Sequence, residues 1–399
     1  MALSAKLIQI SSGSSPVHVA YTGVGFRPKA LIFFVDMRTT TGVTTTGSEM
    51  PMEIMGFTDG TTEACMTNND DYSAGNPFYK AQCVFASTSA GGVGVLSATC
   101  VSLDADGFTL DWSVVNAAVT INVLCLGGSD ITGAKVLTWT GPTGAVGNVS
   151  TTGVGFKPDG MIAIAGNSFP SQGGVGMATA ASEQGLISAA YASGTVRYQL
   201  TTSILAGMGG TEEVRFLASF VRFDADGFTL NWIGGESLST TFCAGLFLKG
   251  IRMKVGALTE KATDGGQAIT GVGFVPKAVV FLSTGLTASS VPVDTGLVDL
   301  MTGAATGPSE RAVTELGDST TTGMARLSTT ACISHLNNSA TKVGTADFTS
   351  FDADGFTLNW QDTDGTARQT IFMALGDTAS PSGLPVIRRP RKTSRSTTW

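Results

Sequence analysis

One nine-residue segment, Asp-Ala-Asp-Gly-Phe-Thr-Leu-Asn-Trp, occurs three times in this chain of 399 residues. Residues 224–232 and 352–360 are identical, and residues 104–112 differ only at Asp111, where the other copies have asparagine. The copies begin 120 and then 128 residues apart. Solenoid repeats are about 20–50 residues long. The spacing therefore predicts three tandem domains, each with enough residues for a core of its own.

The repeated segment predicts a turn followed by a strand. Its aspartates can accept hydrogen bonds from nearby backbone amides, and its glycine tolerates positive φ. After the glycine, Phe356, Leu358 and Trp360 fall on one face of an extended chain. Thr357 and Asn359 fall on the other face. We therefore expect the apolar face, with the tryptophan of each copy, to be buried; these tryptophans are Trp112, Trp232 and Trp360.

A second block, Thr-Gly-Val-Gly-Phe, precedes each copy of the first. One residue after it comes a proline, and then an apolar run. Proline is tolerated at the first residue of a strand, and the run predicts a central strand that is buried on both faces. The blocks are residues 22–26, 152–156 and 270–274, the prolines are Pro28, Pro158 and Pro276, and the runs are residues 30–35, 161–165 and 278–282.

Further strands complete each unit. Each unit begins with a short strand and ends with an apolar strand that finishes in glycine. Residues 80–86 and 196–204 predict strands that return to the repeated turn. Seven or eight short strands separated by turns are typical of a β-sandwich, possibly of jelly-roll type. Opening strands are expected at residues 6–10, 135–139 and 253–258, and closing strands at residues 121–127, 242–250 and 371–376.

The predicted fold is therefore all-β, with three tandem β-sandwich (jelly-roll-like) units and a short extended C-terminal arm. Because almost no linker separates the units, they should touch, either in a row or around a pseudo-threefold axis. Around Pro308, Ser309 and Glu310 the residue types also fit a helix start, so a short helix there stays open. The predicted boundaries are residues 1–130, 131–253 and 254–380 for the units and 381–399 for the arm.

Composition favours packed β-structure. Hydrophobic residues make up 42% of the chain, which excludes wholesale disorder. Charged residues are only 14%, against roughly 25% in ordinary soluble domains, and glycine is abundant, with 51 residues. A weakly charged surface is expected where many copies pack together. It would also suit a stable extracellular β-protein.

The positive charge is concentrated in the last residues, where five cations follow the last acidic residue, Asp377. Without these five, the chain has 19 basic and 31 acidic residues, and an acidic body argues against nucleic-acid binding by the units. The arm is a candidate for contact with an acidic neighbouring subunit, or else a mobile solubilising tail. The candidate partner-binding residues are Arg388, Arg389, Arg391, Lys392, Arg395 and Trp399.

The sequence predicts no catalytic residue, no cofactor and no metal site. Asp-x-Asp-Gly resembles the start of a calcium loop but lacks the later acidic ligands. Thr-Gly-Val-Gly-Phe lacks the third glycine and the helix start of a phosphate-binding loop. His18 and His335 are the only histidines, and no nucleophile elbow is present. Distant paired carboxylates acting on glycans stay open, and any sugar contact would belong to the variable loops, residues 58–79, 166–184 and 284–310.

The six cysteines show neither metal-ligand spacing nor a common position in the three units. We therefore expect buried free thiols. The N-terminus lacks the long apolar core of a signal peptide, and no apolar run approaches the length of a membrane span. The expectation is a soluble protein made in a cytoplasm, with no membrane partner.

The two repeated blocks, in this order and with a closing strand such as residues 373–376, resemble a module of uncharacterised structural proteins of tailed bacteriophages. The resemblance covers about a quarter of the chain. The second unit departs from it, with Asp159 and Gly160 in place of Lys-Ala. It implies a virion protein that is assembled in the host cytoplasm, and it supplies no catalytic residues.

The expected function is that of a non-enzymatic virion structural protein, a capsid decoration or a tail-associated protein. Its partners would be the major capsid or tail proteins and other copies of itself. The alternative is a receptor- or carbohydrate-binding protein at the tail tip, with a host-surface glycan as its partner. Few aromatic residues occur in the variable loops, which favours the structural role; they are Tyr72, Phe78, Tyr79 and Phe169.

Overall fold

A computed structural model shows an all-β protein, and no helix occurs among the residues that it describes. None of these residues therefore forms a helix that is long and apolar enough to cross a membrane. The described residues are 2–35, 41–46, 52–68, 78–87, 94–142, 146–167, 173–190, 196–208, 213–233, 241–289, 291–294, 297–308, 310–319, 322–337 and 339–378.

The described residues form thirty-two strands, which are named here in chain order. The first unit contains β1 (Leu3–Ser11), β2 (His18–Thr22), β3 (Pro28–Val35), β4 (Gly42–Thr46), β5 (Met52–Thr58), β6 (Glu63–Asn68), β7 (Phe78–Lys80), β8 (Val84–Ser87), β9 (Gly94–Asp104), β10 (Gly107–Val115) and β11 (Thr120–Gly128). The second contains β12 (Gly133–Thr140), β13 (Gly147–Thr152), β14 (Gly160–Asn167), β15 (Gly173–Ala180), β16 (Glu183–Ala190), β17 (Val196–Leu200), β18 (Leu205–Met208), β19 (Val214–Asp224), β20 (Gly227–Ile233) and β21 (Thr241–Lys249). The third contains β22 (Arg252–Thr259), β23 (Gly265–Ile269), β24 (Pro276–Ser283), β25 (Val293–Asp294), β26 (Leu297–Gly307), β27 (Glu310–Ser319), β28 (Thr322–Ser328), β29 (Ile333–Leu336), β30 (Lys342–Asp352), β31 (Gly355–Gln361) and β32 (Gln369–Gly376).

Each unit is a sandwich of two antiparallel sheets. In the first unit the inner sheet has the strand order β1-β11-β3-β5-β6-β7, and the outer sheet has the order β2-β10-β9-β8. The other units repeat both orders with their equivalent strands, β12-β21-β14-β15-β16-β17 with β13-β20-β19-β18, and β22-β32-β24-β26-β27-β28 with β23-β31-β30-β29. The predicted all-β class with β-sandwich units is thus confirmed.

The two repeated blocks meet in a single hydrogen-bonded junction. The turn between β30 and β31 places Asp354 beside the Thr-Gly-Val-Gly-Phe block, where its carboxylate accepts the amides of Gly271 (3.0 Å) and Gly273 (2.5 Å). These two bonds hold the pKa of Asp354 below its ordinary value, because they stabilise the charged form. Asp106 and Asp226 make the same pair of bonds in the other units.

The first aspartate of the turn forms hydrogen bonds within its own hairpin. Asp352 accepts hydrogen bonds from the hydroxyls of Ser350 (2.8 Å) and Thr357 (2.7 Å). Gly355, directly after the turn, passes so close to the neighbouring strand that a β-carbon there would lie 1.9 Å from the carbonyl oxygen of Ile269. The residue types of the repeated segment are therefore explained by contacts within the fold.

The inner sheet is buried on both faces, as the apolar runs predict. In β3, Leu31 and Phe33 point toward the outer sheet and join the core between the two sheets of the unit. Ile32 and Phe34 point the other way, into a core that contains inner-sheet residues of all three units. The repeated tryptophans lie between the sheets of their own units, as predicted, and are at most 3% exposed.

The three units form a closed ring, which decides between a row and a pseudo-threefold arrangement. The first strand of each unit donates one backbone amide to a side chain in the β-hairpin of the preceding unit. Val136 donates to Asp59 (2.7 Å) and Val255 donates to Thr179 (3.3 Å). Leu7 donates to Thr306 (3.2 Å), which joins the first unit to the third.

Two strands are exchanged around this ring. β4 of the first unit adds to β28 at the edge of the third unit's inner sheet, and β25 of the third unit adds to β17 of the second. Both exchanges run in the same sense around the axis. Each of these strands pairs with a unit other than the one to which its residues belong. Whether the predicted boundaries at residues 130 and 253 separate independent domains therefore stays a prediction.

Two local strand predictions are wrong, and the short helix that stayed open near Pro308 is not observed among the described residues. Pro308 lies in the turn between β26 and β27, a long antiparallel hairpin in place of the suggested helix. Residues 80–86 do not form one strand, since β7 and β8 belong to different sheets of the sandwich. Of residues 196–204, only 196–200 form a strand, β17 of the inner sheet, and β18 of the outer sheet begins at residue 205. Both segments were long enough for one strand, but in each of them the chain leaves the inner sheet for the outer one.

We expect Gly355→Ala to lower the free energy of unfolding by more than about 1 kcal/mol, because its β-carbon collides with a backbone carbonyl. Urea unfolding followed by circular dichroism measures this change. Gly266→Ala is the matched control in the adjacent strand, where a β-carbon meets no atom within 4 Å. Equal effects of the two substitutions would contradict the explanation.

The shared core predicts that the three units unfold together. Leu246→Ala removes a side chain from the shared core, and Leu230→Ala removes one from the second unit's own core. Each should cost about 2–5 kcal/mol and should move one calorimetric transition whose van't Hoff and calorimetric enthalpies agree. A second transition that neither substitution moves would show that the units unfold separately.

Candidate functional site

A cavity of about 490 Å³ opens at the end of the third unit that is farther from the repeated turn. Its walls come from the end of β29, the start of β30, the segment after β24 and the loop between β31 and β32. The second unit contributes Arg197 from β17. The cavity therefore lies where two units meet, and the exchanged strand β25 pairs with the strand that carries Arg197.

A buried cluster of three ionisable side chains lies beside this cavity, and one of the three, Asp299, lines it. His335 of β29 is completely buried, and its Nδ1 lies 2.7 Å from Asp299 Oδ2. Its Nε2 lies 2.9 Å from Glu260 Oε1, which also accepts the hydroxyl of Thr370 at 2.6 Å. Asp299 and Glu260 are almost completely buried as well. The imidazole thus bridges the outer sheet to the inner one through two carboxylates.

The two carboxylates determine the charge of His335. Burial by itself lowers the pKa of an imidazole, but the charges of Glu260 and Asp299 and the hydrogen bonds to them outweigh it and raise the pKa to about 10. The ring is therefore an imidazolium at neutral pH, with both nitrogens donating. In this state it has no lone pair with which to act as a general base or a nucleophile.

Only the third unit has such a cluster among the described residues. The residues that correspond to His335 in the other units can be identified from a backbone hydrogen bond that all three units share. In each unit one amide, that of Cys83, Ile204 or Cys332, donates to an alanine carbonyl of the adjacent strand. Three residues further along stand Ala86, Gly207 and His335, respectively. The first two units thus have small residues where the third buries a charge.

Two arginines line the cavity in addition. Arg368 pairs with Asp364 through two bonds, of 2.9 and 2.6 Å. This pairing and nearby carboxylates outweigh the effect of burial and raise the pKa of Arg368. Arg197 donates from one terminal nitrogen to the carbonyl of Thr284 (2.8 Å). Its Nε and the Oδ1 atom of Asp299 are both buried without a hydrogen-bond partner among the described residues.

The predicted site residues fall in two groups. The six candidate partner-binding residues, Arg388 to Trp399, lie outside the described residues. The two motifs with a resemblance to ligand loops bind each other. The amides of Gly271 and Gly273, which in a phosphate loop would face the phosphate, donate to the carboxylate of Asp354, which in a calcium loop would face the ion. Among the described residues, no group of three or more His, Cys, Asp and Glu side chains is arranged to hold a metal ion.

The cysteines and histidines are placed as follows. The six cysteines are free thiols, as predicted, and all except the half-buried Cys100 are buried. His18 is an exposed residue of β2 and pairs with Asp111 at 3.0 Å. Cys332 and His335 are three residues apart, but both side chains point into the sandwich, because Cys332 lies in the bend before β29 and outside the alternation of that strand.

Sequence reasoning missed the charged cluster. Glu260, Asp299 and His335 are separated by 36 to 75 residues along the chain, and none belongs to a motif. An alignment of the three units on their repeated blocks could have revealed the cluster. It places His335 where the other units have apolar or small residues.

We expect the imidazole ring of His335 to stay protonated up to a pH near 10. Its folded pKa is above the unfolded value of about 6.5, so its contribution to stability is complete below the unfolded value and is lost as the pH rises through about 10. Carbon-13 NMR of the histidine rings measures this titration, and His18→Asn assigns the two signals. A midpoint near the unfolded value would mean that the carboxylates do not stabilise the imidazolium.

Comparison with known proteins adds no identification: no protein-family model and no curated protein sequence matches the chain.

Proposed function

We propose that this chain is a non-enzymatic structural protein of a tailed-phage virion, a capsid decoration or a tail-associated protein, that occupies a site of threefold or quasi-threefold symmetry. The observation that carries the proposal is the closed ring of three equivalent units. Symmetric assemblies present the same surface at each repeated position. A chain with three equivalent sandwiches can therefore repeat one contact three times at such a site.

The construction of the ring suits this role. Its three inner sheets share one core, two of their edges are covered by strands from a neighbouring unit, and the outer sheets face outward. Covered edges do not offer open backbone groups for uncontrolled pairing. Outward residues of the strand after the turn are polar and mostly uncharged, as Thr357 and Asn359 of the third unit show. Such faces can pack against other proteins with little charge to desolvate.

The described chain ends at a seam between units, and this end gives the arm a fixed starting point. Asp377 accepts the amide of Leu3 (2.7 Å) and pairs with Lys277 (2.9 Å). Thr378 donates from its amide and its hydroxyl to Asp130. The basic residues 388–395 begin ten residues after Thr378. We include contact of this arm with an acidic neighbouring subunit in the proposal.

The copy number of the chain in purified particles tests the proposal. Quantitative mass spectrometry against the major capsid protein should give tens to hundreds of copies for a decoration or tail-coating protein. Three to about a dozen copies, which match the subunit numbers of small symmetric assemblies, would point to the tail tip. Absence of the chain from particles would overturn the virion proposal.

Removal of residues 379–399 should leave the melting temperature of the isolated protein unchanged within about 2 °C, because this segment has no apolar periodicity with which to join a core. The same truncation should weaken attachment to particles, measured by co-sedimentation. A second variant, with glutamine at the five basic positions, keeps the length of the arm and Trp399. If this variant attaches as the wild type does at low salt, the charges of the arm make no contact.

A further inference from the structure

Two residues that line the cavity of the third unit each have one buried polar atom without a hydrogen-bond partner among the described residues. Asp299 is 2% exposed and uses Oδ2 for His335, while its buried Oδ1 has no partner among the described residues. The Nε atom of Arg197 is also buried and has no hydrogen-bond partner among the described residues. Both residues line the cavity. A buried polar atom without a partner costs free energy, so two such atoms beside one cavity indicate that a ligand satisfies them.

The charges around the cavity cancel. Arg197 and Arg368 are positive, and Asp299 and Asp364 are negative. An anion would meet the two carboxylates, and a cation would meet the two guanidinium groups. The balance therefore favours a neutral ligand, while the free donor and acceptor require a group that can both donate and accept.

We propose that this cavity binds a neutral saccharide residue. A sugar hydroxyl donates its hydrogen to Asp299 Oδ1, and a hydroxyl oxygen accepts from Arg197 Nε. Asn337 and Ser339 bring further polar groups to the cavity, and Leu286 and Val343 bring the apolar surface that the C–H faces of a sugar ring need. The volume of about 490 Å³ lies within the usual range for small-ligand sites, about 300–1,000 Å³.

The asymmetry of the ring supports a specific site. Ala86 and Gly207 show that the scaffold folds without charge at this position. Burying Glu260, His335 and Asp299 in the third unit is costly unless their hydrogen bonds are complete. His335 holds Asp299 through Oδ2, and this bond leaves Oδ1 without a partner among the described residues. Histidine thus acts here as a positioning residue for the acceptor.

This inference goes beyond the proposed structural role and does not depend on it, because it concerns one site per chain in the isolated protein. Its test is saturation-transfer NMR on the full-length chain with the methyl glycosides of glucose, galactose and mannose at millimolar concentration. Glucuronate and glucose 6-phosphate serve as charged probes. We expect saturation transfer to at least one neutral glycoside and none to the charged probes.

Two substitutions locate the site. Ser339→Trp fills the mouth of the cavity from an exposed position and leaves the buried charges in place. It should abolish the transfer, whereas Ser14→Trp, on an exposed loop of the first unit, should not change it. Arg197→Lys keeps the charge but removes Nε, and it should weaken binding about tenfold.

Three results would overturn the inference. The first is the absence of transfer to every neutral glycoside, which would mean that only water reaches the two polar atoms. The second is transfer to glucuronate or glucose 6-phosphate in preference to the glycosides, which would make this an anion site. The third is transfer that Ser339→Trp leaves unchanged, which would place the sugar elsewhere. None of these results bears on the copy number that tests the virion proposal.

Discussion

The fold depends on a carboxylate held between two glycine amides. Asp354, Asp226 and Asp106 each connect the turn of one hairpin to the loop that precedes the central strand of the other sheet. The loop presents consecutive amides because its glycines have φ near +85°, a conformation that other residues rarely adopt. The bonds hold the two sheets of a unit in a defined relation at one end, and the apolar side chains between them pack in register.

From this junction the rest of the ring follows. With the sheets of each unit in register, alternate residues of the central strand serve two cores, as Leu31 and Ile32 do in β3. The face that carries Ile32 cannot be covered within its own unit, because the outer sheet occupies the opposite side. Each unit therefore needs two partners to bury this face, and the chain supplies them as its own second and third copies. A tandem repeat and a closed ring are two consequences of one doubly buried sheet.

The scaffold was predictable from sequence because its signals are local and repeated. The turn at Asp352 and the alternation that buries Trp360 can be read from nine residues, and the apolar run of residues 30–35 predicts a doubly buried strand. Ring closure was not predictable, since the bond of Leu7 to Thr306 joins residues that are 299 positions apart. The strand breaks near residues 81 and 201 also escaped prediction, because periodicity records burial and does not say which sheet buries a residue.

The charged cluster escaped prediction for a different physical reason. Glu260 and Asp299 are spaced without pattern, and His335 follows an apolar segment that reads as ordinary core. Their meaning appears only when the sheets bring them within 3 Å of one another. The three units evidently share the residues that build the sandwich, while His335 replaces the small residues of the first two units. A scaffold stabilised by one shared core can tolerate such a substitution in one unit, because the loss of apolar packing there is small against the whole core. Repetition thus gives this chain two units that maintain the ring and a third in which a polar site can be built.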